Sequence, residues 1–428
     1  MSILTSLFSG ISGLSANGTA ISVVGDNIAN SNTVSFKASR VNFVDILSSS
    51  MNGSQGASQI GRGVYINDVT PVFSQGSFET TENGTDLAIE GSGFFMVQDQ
   101  SGIYYTRAGD FRLDKDGYMV NSKNMKLQGF SLDAAGNSTG ALGDLNMFSS
   151  SSAPSATDSM KMSVNVNSAS AIPAAFAVAN PTGTSNFNTA MTIYDSLGNS
   201  HLVTVYFRKS VETPLGNTWE WNAVVNGADT TSGNTEVQAN GTLNFDNNGA
   251  LSAVTTAASS FNFNGGAAQA QAVAFDFGDD IASGGTGYKG TTQFGAESAT
   301  IFQSQNGYTS GSLKSISIDK TGMITGTFTN GQTKNLAIVA LANFANPNGL
   351  TKQGGSLYAE SNSSGQPLIG QAGKSGLGSI NSNSLELSNV DLATEFVKLI
   401  TFQRGFQANS KIITTTDEML NDVVNLKR

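Results

Sequence analysis

Cysteine is absent from the 428-residue chain, and His201 is its single histidine. Zinc sites, iron–sulfur clusters and thiol chemistry depend on these side chains, so none of them is expected. A Ser-His-Asp hydrolase would depend on His201 alone. That residue lies in Asn199–Tyr206, whose alternating pattern predicts a strand or turn with His201 at the surface. We therefore predict no catalytic residue, no metal site and no cofactor.

Charge is also scarce. Charged residues make up 13% of the chain, and 22 basic against 32 acidic side chains give a net charge of −10. An acidic protein does not attract phosphate groups, so nucleic acid is not an expected partner. No stretch approaches the roughly 20 consecutive apolar residues of a membrane span, so membrane insertion is not expected. The N-terminus also lacks the basic segment of a cleaved secretory signal, and export would need another route.

Glycine is abundant, with 48 residues, and hydrophobic residues make up 39% of the chain. Together with many Ser, Thr and Asn residues, this composition favours β-rich domains with tight turns. A recurring Asp-x-x-Gly pattern is typical of type I turns that close hairpins. None of its copies has the full twelve-residue loop of a calcium site, so turns are the preferred interpretation. The copies are Asp114–Gly117, Asp133–Gly136, Asp195–Gly198, Asp246–Gly249 and Asp319–Gly322.

Two other patterns allow a ligand-binding interpretation. Gly91–Val97 begins like a nucleotide-binding loop, but it lacks the third glycine and the helix that must follow, so a hairpin is preferred. Trp219 and Trp221, with Tyr206, are the closest approach to an aromatic carbohydrate-binding surface. The spacing of the two tryptophans predicts that they share one strand face.

The N-terminal segment has the heptad pattern of a helix that packs on another helix. Its two core positions carry large apolar residues in the first half, whereas Gly18 and Gly25 occupy one of them in the second half. Such a helix is marginal alone and needs a partner. We predict that its contacts are made by Leu4, Leu7, Ile11, Leu14, Ile21 and Ile28.

The C-terminal segment has a matching apolar repeat. Ser388, Asn389 and Asp391 supply short oxygen-bearing side chains that can cap a helix start. The simplest arrangement pairs this helix with the N-terminal one and leaves the outer faces for neighbouring copies. The alternative is that both are ordinary terminal helices on a globular core. We predict that the seam residues on this side are Leu392, Phe396, Leu399, Phe406, Ile413 and Leu420.

Composition changes along the chain indicate nested domains. The predicted fold is α+β and mostly β: an inner β domain carries an inserted β domain, and the terminal helices form a coiled-coil-like inner domain. The predicted boundaries are 1–30 and 389–428 for the helical domain, 31–70 and 360–388 for extended linker or covering segments, 71–144 and 291–359 for the inner β domain, and 145–290 for the inserted outer β domain.

Several segments resemble the bacterial flagellar rod and hook family. Gly25–Lys37 is similar to its N-terminal signature, and 389–428 to its C-terminal signature; Gly91–Phe95, Tyr105–Phe111 and Ala340–Pro347 are similar to its inner β domain. One departure is Val34-Ser35, where the family often has threonine or glycine before Phe-Lys. The signature positions are Asn27, Asn30, Asn32, Thr33, Phe36, Lys37, Gln403, Arg404, Gln407 and Asn409.

The resemblance implies a non-enzymatic subunit that polymerises with copies of itself. Its length and inserted block resemble the hook-forming members, whose tube is a flexible universal joint that transmits torque from the motor to the filament; a distal rod subunit is the alternative. The implied partners are the rod, hook cap, hook–filament junction and hook-length control proteins and the flagellar type III export apparatus. The implied location is the extracellular flagellum, reached without a cleaved signal peptide.

Overall fold

The computed structural model describes residues 3–47, 49–53, 56–133, 136–148 and 151–425. These residues form two long helices and many short strands, so the α+β, mostly β class is confirmed. The chain divides into two compact units. The first comprises Met1–Ser150, Lys314–Thr327 and Thr333–Arg428, and the second comprises Ser151–Leu313 and Phe328–Gln332.

The first unit contains both helices. Its elements up to the insertion are α1 (Ile3–Ala29), β1 (Ser39–Asp45), β2 (Ser49–Gly53), β3 (Gly56–Ile60), β4 (Val64–Pro71), β5 (Phe78–Thr80), β6 (Leu87–Glu90), β7 (Phe94–Asp99), β8 (Gly102–Thr106), β9 (Arg112–Leu113), β10 (Met119–Val120), β11 (Lys126–Leu132) and β12 (Ser138–Asp144). Within the described residues, β1 pairs with β4 and β2 pairs with β3, both antiparallel.

The second unit follows as an insertion. Its strands are β13 (Ser159–Asn165), β14 (Phe187–Tyr194), β15 (Ser200–Thr213), β16 (Gly216–Val225), β17 (Glu236–Asp246), β18 (Leu251–Ser259), β19 (Ala274–Asp276) and β20 (Ala299–Gln305). The strands β14 to β18 form a five-stranded antiparallel meander, and β13 lies between β19 and β20 in a smaller sheet. One apolar core that includes Met160, Phe207 and Trp219 lies between these sheets.

The chain then returns to the first unit and ends in the second helix. These elements are β21 (Leu313–Ile318), β22 (Met323–Phe328), β23 (Thr333–Asn343), a 3₁₀ turn (Pro347–Gly349), β24 (Thr351–Gly354), β25 (Leu357–Ala359), β26 (Leu368–Gln371), β27 (Ser379–Ser382), β28 (Ser384–Glu386) and α2 (Leu392–Asn425). The large sheet of this unit runs β21-β22-β23-β11-β7-β8-β25-β24, and β23 joins the strands before and after the insertion by pairing with both β11 and β7.

The predicted Asp-x-x-Gly turns are present where the structure describes them. At the first, the Asp114 carboxylate accepts hydrogen bonds from the amides of Asp116 (2.9 Å) and Tyr118 (2.8 Å). Gly117 closes the turn at φ +83°, a backbone conformation that residues with a side chain rarely adopt. The turn at Asp319 repeats this geometry, with amides of Thr321 and Met323 as donors. The carboxylates are therefore engaged by backbone amides within their own turns.

The predicted boundaries of the inserted domain differ from the structure. Residues 145–148 remain with the first unit, and the second unit extends to Leu313 rather than ending at residue 290. The reason is that β20 pairs antiparallel with β13 and completes the small sheet. These pairs join residues far apart in sequence, which local composition cannot show.

The two predicted linker segments are paired in strands rather than simply extended. In 31–70, β1 and β4 form a ladder; in 360–388, β26 pairs with β23, β27 with β6 and β28 with β5. Their polar composition suggested exposed coverings. Short edge strands satisfy their backbone hydrogen bonds without many apolar side chains, which explains the difference.

His201 lies on β15, as the strand pattern predicts, but it is buried rather than at the surface. Its ring stacks on Phe263 with centroids 4.0 Å apart, and its Nε2 lies 3.1 Å from the Asp195 carboxylate. Trp219 and Trp221 share one face of β16 as predicted, and both are fully buried in the core. A carbohydrate-binding role for this aromatic pair is therefore excluded.

A candidate assembly surface on the terminal helix pair

The two terminal helices pack against each other in antiparallel directions. Near one end of the pair, Gly10 of α1 lies against Ile413 of α2. Near the other end, the Asn27 amide donates a hydrogen bond of 3.1 Å to the Glu395 carboxylate. This pairing supports the expectation that the ends of the chain meet.

The contact face of α1 is made of small residues. Gly10, Gly13, Ala16, Ala20 and Val24 are buried and recur every three or four positions. A Cβ added at Gly13 would lie 2.7 Å from the Asn409 side chain, which would have to move. The close approach therefore depends on small side chains.

Within one chain, the centre of the helix contact is not made by the predicted seam residues, and their role as a polymerisation seam stays a prediction. On α1 the large residues flank the small-residue face: Leu7, Leu14, Ile21 and Ile28 are half-buried, and Leu4 and Ile11 are exposed. On α2, Leu399, Ile413 and Leu420 are half-buried, whereas Leu392, Phe396 and Phe406 are exposed. The heptad rule selects bulky residues for a seam, but the close helix contact here excludes bulk from its centre. The repeat Gly10-x-x-Gly13-x-x-Ala16 was the available signal.

Many apolar side chains of the pair consequently remain uncovered. Phe8 of α1 is 63% exposed, and Val397 of α2 is 65% exposed. Such a concentration of exposed apolar residues is unusual on a monomer and marks an interaction site. We define the exposed helix surface as Leu4, Phe8, Ile11, Leu392, Phe396, Val397, Ile400, Phe406, Ile412 and Met419.

By length and composition, α1 also meets the criteria for a membrane span. The segment Leu4–Ala29 has 26 residues and a mean hydropathy of 1.3. Ser, Thr, Gly and Asn residues recur along it and interrupt its apolar residues. For this reason no membrane span was predicted from the sequence. One such helix near the N-terminus is weak evidence for a span. In the structure, its small-residue face packs on α2.

Asn27 ties α1 to the segments on either side of it. Its side chain forms two hydrogen bonds with the backbone of Ser39, donating to the carbonyl (2.9 Å) and accepting from the amide (2.8 Å). It also donates to Glu395, whose carboxylate lies 2.6 Å from the Lys398 ammonium. Asn27 is buried, so these partners replace water. Asn27 therefore fixes the C-terminal end of α1 against β1 and α2.

The turn after α1 contains more of the signature. Asn30 donates to Asp26, and Thr33 donates to Asn30, whereas Asn32 is exposed. Phe36 is half-buried below the Lys352 ammonium. These hydrogen bonds hold the turn that leads from the helix into the β strands.

The departure at Ser35 has a structural explanation. Ser35 has φ +55°, a conformation that favours glycine. Its hydroxyl donates to the Arg107 carbonyl at 2.7 Å, and its amide donates to the Glu386 carbonyl at 2.8 Å. These bonds compensate for the strain. Lys37, another signature residue, is fully buried beside Glu386.

The C-terminal signature residues are distributed differently. Gln403, Arg404 and Gln407 are exposed and have no hydrogen bond or ion pair with any residue that the structure describes. Asn409 packs against Gly13. At the start of α2, the Asp391 carboxylate accepts hydrogen bonds from the Thr394 amide, the Thr394 hydroxyl and the Ala393 amide. These bonds hold the pKa of its carboxyl below the usual range.

A β hairpin supports the helix pair on one side. The Phe43 ring on β1 lies 5.8 Å from the Phe402 ring on α2. The Val64 amide at the start of β4 donates to the Ser12 hydroxyl of α1 at 3.2 Å. Among the described residues there is no His, Asp and Glu cluster that could hold a metal ion. The helix pair presents exposed apolar side chains.

Four protein-family models match the chain in order. They are "Flagella basal body rod protein" at residues 7–37, "Flagellar hook protein FlgE/F/G D1 domain" at 88–169, "Flagellar basal body protein FlaE D2 domain" at 165–308 and "Flagellar basal body rod FlgEFG protein C-terminal" at 381–426. The first and last matches include most of α1 and α2. The third falls within the second structural unit.

Full-length relatives decide the family. The flagellar hook protein FlgE of Borreliella burgdorferi is 35% identical over 99% of this chain and 100% of its own length. The protein of the same name from Treponema pallidum is 34% identical over 100% of both chains. This chain belongs to the flagellar hook protein family. The hook protein of Salmonella typhimurium, at 32% identity over 97% of this chain and 98% of its own, agrees.

Membership in the hook family resolves the alternative left by the sequence. The relatives that match the whole chain are named hook proteins, so the hook assignment stands and the distal rod alternative does not. A solved structure of the Helicobacter pylori flagellar hook protein FlgE2 covers 72% of this chain and 100% of that chain, at 15% identity and a TM-score of 0.45.

Proposed function

We propose that this protein polymerises with copies of itself through the exposed helix surface and so builds the tube of the flagellar hook. The main supporting observation is that, among the residues whose burial is described, ten large apolar side chains of the helix pair remain exposed. In the tube, the helix pairs form the stiff inner layer. The hook then acts as the universal joint that transmits torque from the motor to the filament.

Apolar burial supplies the free energy of this assembly. A fully buried large apolar side chain contributes about 1.5–3 kcal/mol relative to its exposed state. Association costs an estimated 4–15 kcal/mol, so a few residues would not suffice. The number of exposed side chains on the helix pair is large enough to exceed that cost when neighbours cover both helices.

The remaining assignments extend the family relationship. The rod, hook cap, hook–filament junction and hook-length control proteins are the proposed neighbours, and the flagellar type III apparatus is the proposed export route. The protein is extracellular, enters no membrane, binds no nucleic acid and catalyses no reaction. The helical domain serves as the inner tube.

The test compares two substitutions that introduce the same charge. Val397→Asp changes an exposed residue of α2, and Leu215→Asp changes a residue of the second unit that is 88% exposed. We expect Val397→Asp to raise the critical concentration for polymerisation at least tenfold, and Leu215→Asp to leave it unchanged. Sedimentation measures the polymer, and negative-stain microscopy identifies curved tubes. Normal assembly of Val397→Asp would refute the proposed surface.

A further inference from the structure

Three charged side chains from distant parts of the chain meet inside the first unit. The Lys37 ammonium lies 2.7 Å from the Glu386 carboxylate, and the Arg107 guanidinium lies 3.7 Å from the same carboxylate. Lys37 and Glu386 have fully buried side chains, and Arg107 is 5% exposed. Lys37 follows α1, Glu386 precedes α2 and Arg107 follows β8. This ionic cluster therefore joins both terminal segments to the β body.

Each member also holds backbone groups of neighbouring segments. Lys37 donates to the Ser74 carbonyl at 2.8 Å, and Glu386 accepts from the Gly76 amide at 2.9 Å. Arg107 donates to the Gly91 carbonyl at 2.6 Å. Displacing any one side chain would remove both an ion pair and a hydrogen bond to the backbone of another segment.

Asn389 adds a second connection beside the cluster. Its carbonyl oxygen accepts from the Ala38 amide at 2.8 Å, and its amide donates to the Val72 carbonyl at 2.8 Å. The segment after α1 and the segment before α2 are therefore hydrogen-bonded to each other as well as to the chain that follows β4.

The charge balance makes Glu386 the central member. Burial lowers the pKa of Lys37 and of Arg107, because desolvation disfavours a charged group. The carboxylate opposes that effect for both cations. Without it, two buried cations would face each other with no anion between them, and a buried charge that loses its partner is strongly destabilising.

We propose that the ionic cluster acts as a latch, which orders residues 33–40 after α1 together with residues 384–391 before α2. Residues 33–40 hold their position only while residues 384–391 are in place, and the reverse is also true. The latch makes the base of the helix pair and the β body move as one piece. In a hook tube this would carry torque from the inner layer outward; that consequence rests on the proposed function, whereas the coupling itself does not.

Hydrogen exchange of the full-length, unpolymerised chain tests the latch. Exchange is followed by mass spectrometry in three peptides: residues 33–40, residues 384–391 and the β7 strand. We expect Glu386→Gln to accelerate exchange in both terminal peptides by about a hundredfold while β7 stays protected. Lys37→Met should accelerate both peptides less, because Arg107 still faces the carboxylate.

The matched control removes the same charge from an exposed pair. Asp144 lies 2.8 Å from Lys126, with both side chains about one-third exposed, and Asp144→Asn should leave both peptides unchanged. The double variant of Lys37→Met with Glu386→Gln should show less than the product of the single effects.

Two results would overturn the latch. One is acceleration confined to the substituted segment in each single variant; the other is a double variant whose effects multiply. If Glu386→Gln also accelerates exchange in β7, the test relies on Lys37→Met, whose expected effect is smaller. Faster exchange in both terminal peptides with β7 still protected then supports the latch. Any other pattern rejects it. Failure of polymerisation alone would count against the proposed function and not against the latch.

Discussion

The closest contact of the helix pair can be tested with one substitution made at two positions of α1. Gly13→Ala places a methyl group 2.7–2.8 Å from the Asn409 side chain, which must move to accommodate it. Gly25→Ala places the same methyl group where, apart from its chain neighbours and the adjacent backbone of α1, no atom lies within 4 Å. Both positions are helical, so the change in intrinsic helix propensity is the same.

The structure sets the expected magnitudes. Alanine is favoured over glycine inside a helix by about 1 kcal/mol, so Gly25→Ala should stabilise α1 by about 0.5–1 kcal/mol. At Gly13 that gain opposes an overpacking cost of about 1–3 kcal/mol. Gly13→Ala should therefore be neutral or destabilising by up to about 2 kcal/mol. The two variants should differ by about 1–3 kcal/mol in the free energy of opening the helix pair.

Native-state hydrogen exchange in α1 and α2 measures that free energy in the full chain. The substitution at Gly13 should change exchange in both helices, because Asn409 belongs to α2, whereas the substitution at Gly25 should act mainly on α1. Equal stabilisation by both substitutions would show that the helices do not approach as closely as described, and the small-residue face would then be rejected.

Four further outcomes are expected. Leu399→Asp or Phe406→Asp should abolish polymerisation while thermal unfolding of the β units is unchanged; tubes of normal length would contradict this. Replacing residues 152–312 with a short linker should leave polymerisation intact and alter tube curvature in electron micrographs, and complete loss of tubes would reject that division of roles. Trp221→Ala should destabilise the second unit by about 3–5 kcal/mol and leave the first unit's calorimetric transition in place. Asp391→Ala should lower the helix content measured by circular dichroism, because the first-turn amides lose their acceptor, and no change would argue against the N-cap.

The sequence predicted local features well because neighbouring residues determine them. Helix and strand periodicity identified α1, α2 and β16, and the Asp-x-x-Gly pattern identified hairpin turns at Asp114 and Asp319. Capping by Asp391 followed from side-chain chemistry alone. Each of these depends on groups within a few residues of one another, so a single sequence contains the information.

Long-range contacts decided the rest. Heptad spacing showed that α1 has a partner but could not show that Gly13 and Ala20, rather than Ile11, face it, because this depends on how closely α2 approaches. His201 is buried rather than exposed because Phe263, from a distant part of the sequence, stacks on its ring.

The amino-acid sequence by itself determined the element types, the turns, the two amphipathic ends and the family. Only the tertiary structure decided which helix face is covered, where the inserted unit ends and which charges meet in the interior. The physical reason is that the burial of a side chain depends on which distant parts of the chain pack around it. Nothing in the sequence indicates that Lys37, Arg107 and Glu386 meet, and only the fold brings them together and removes them from water.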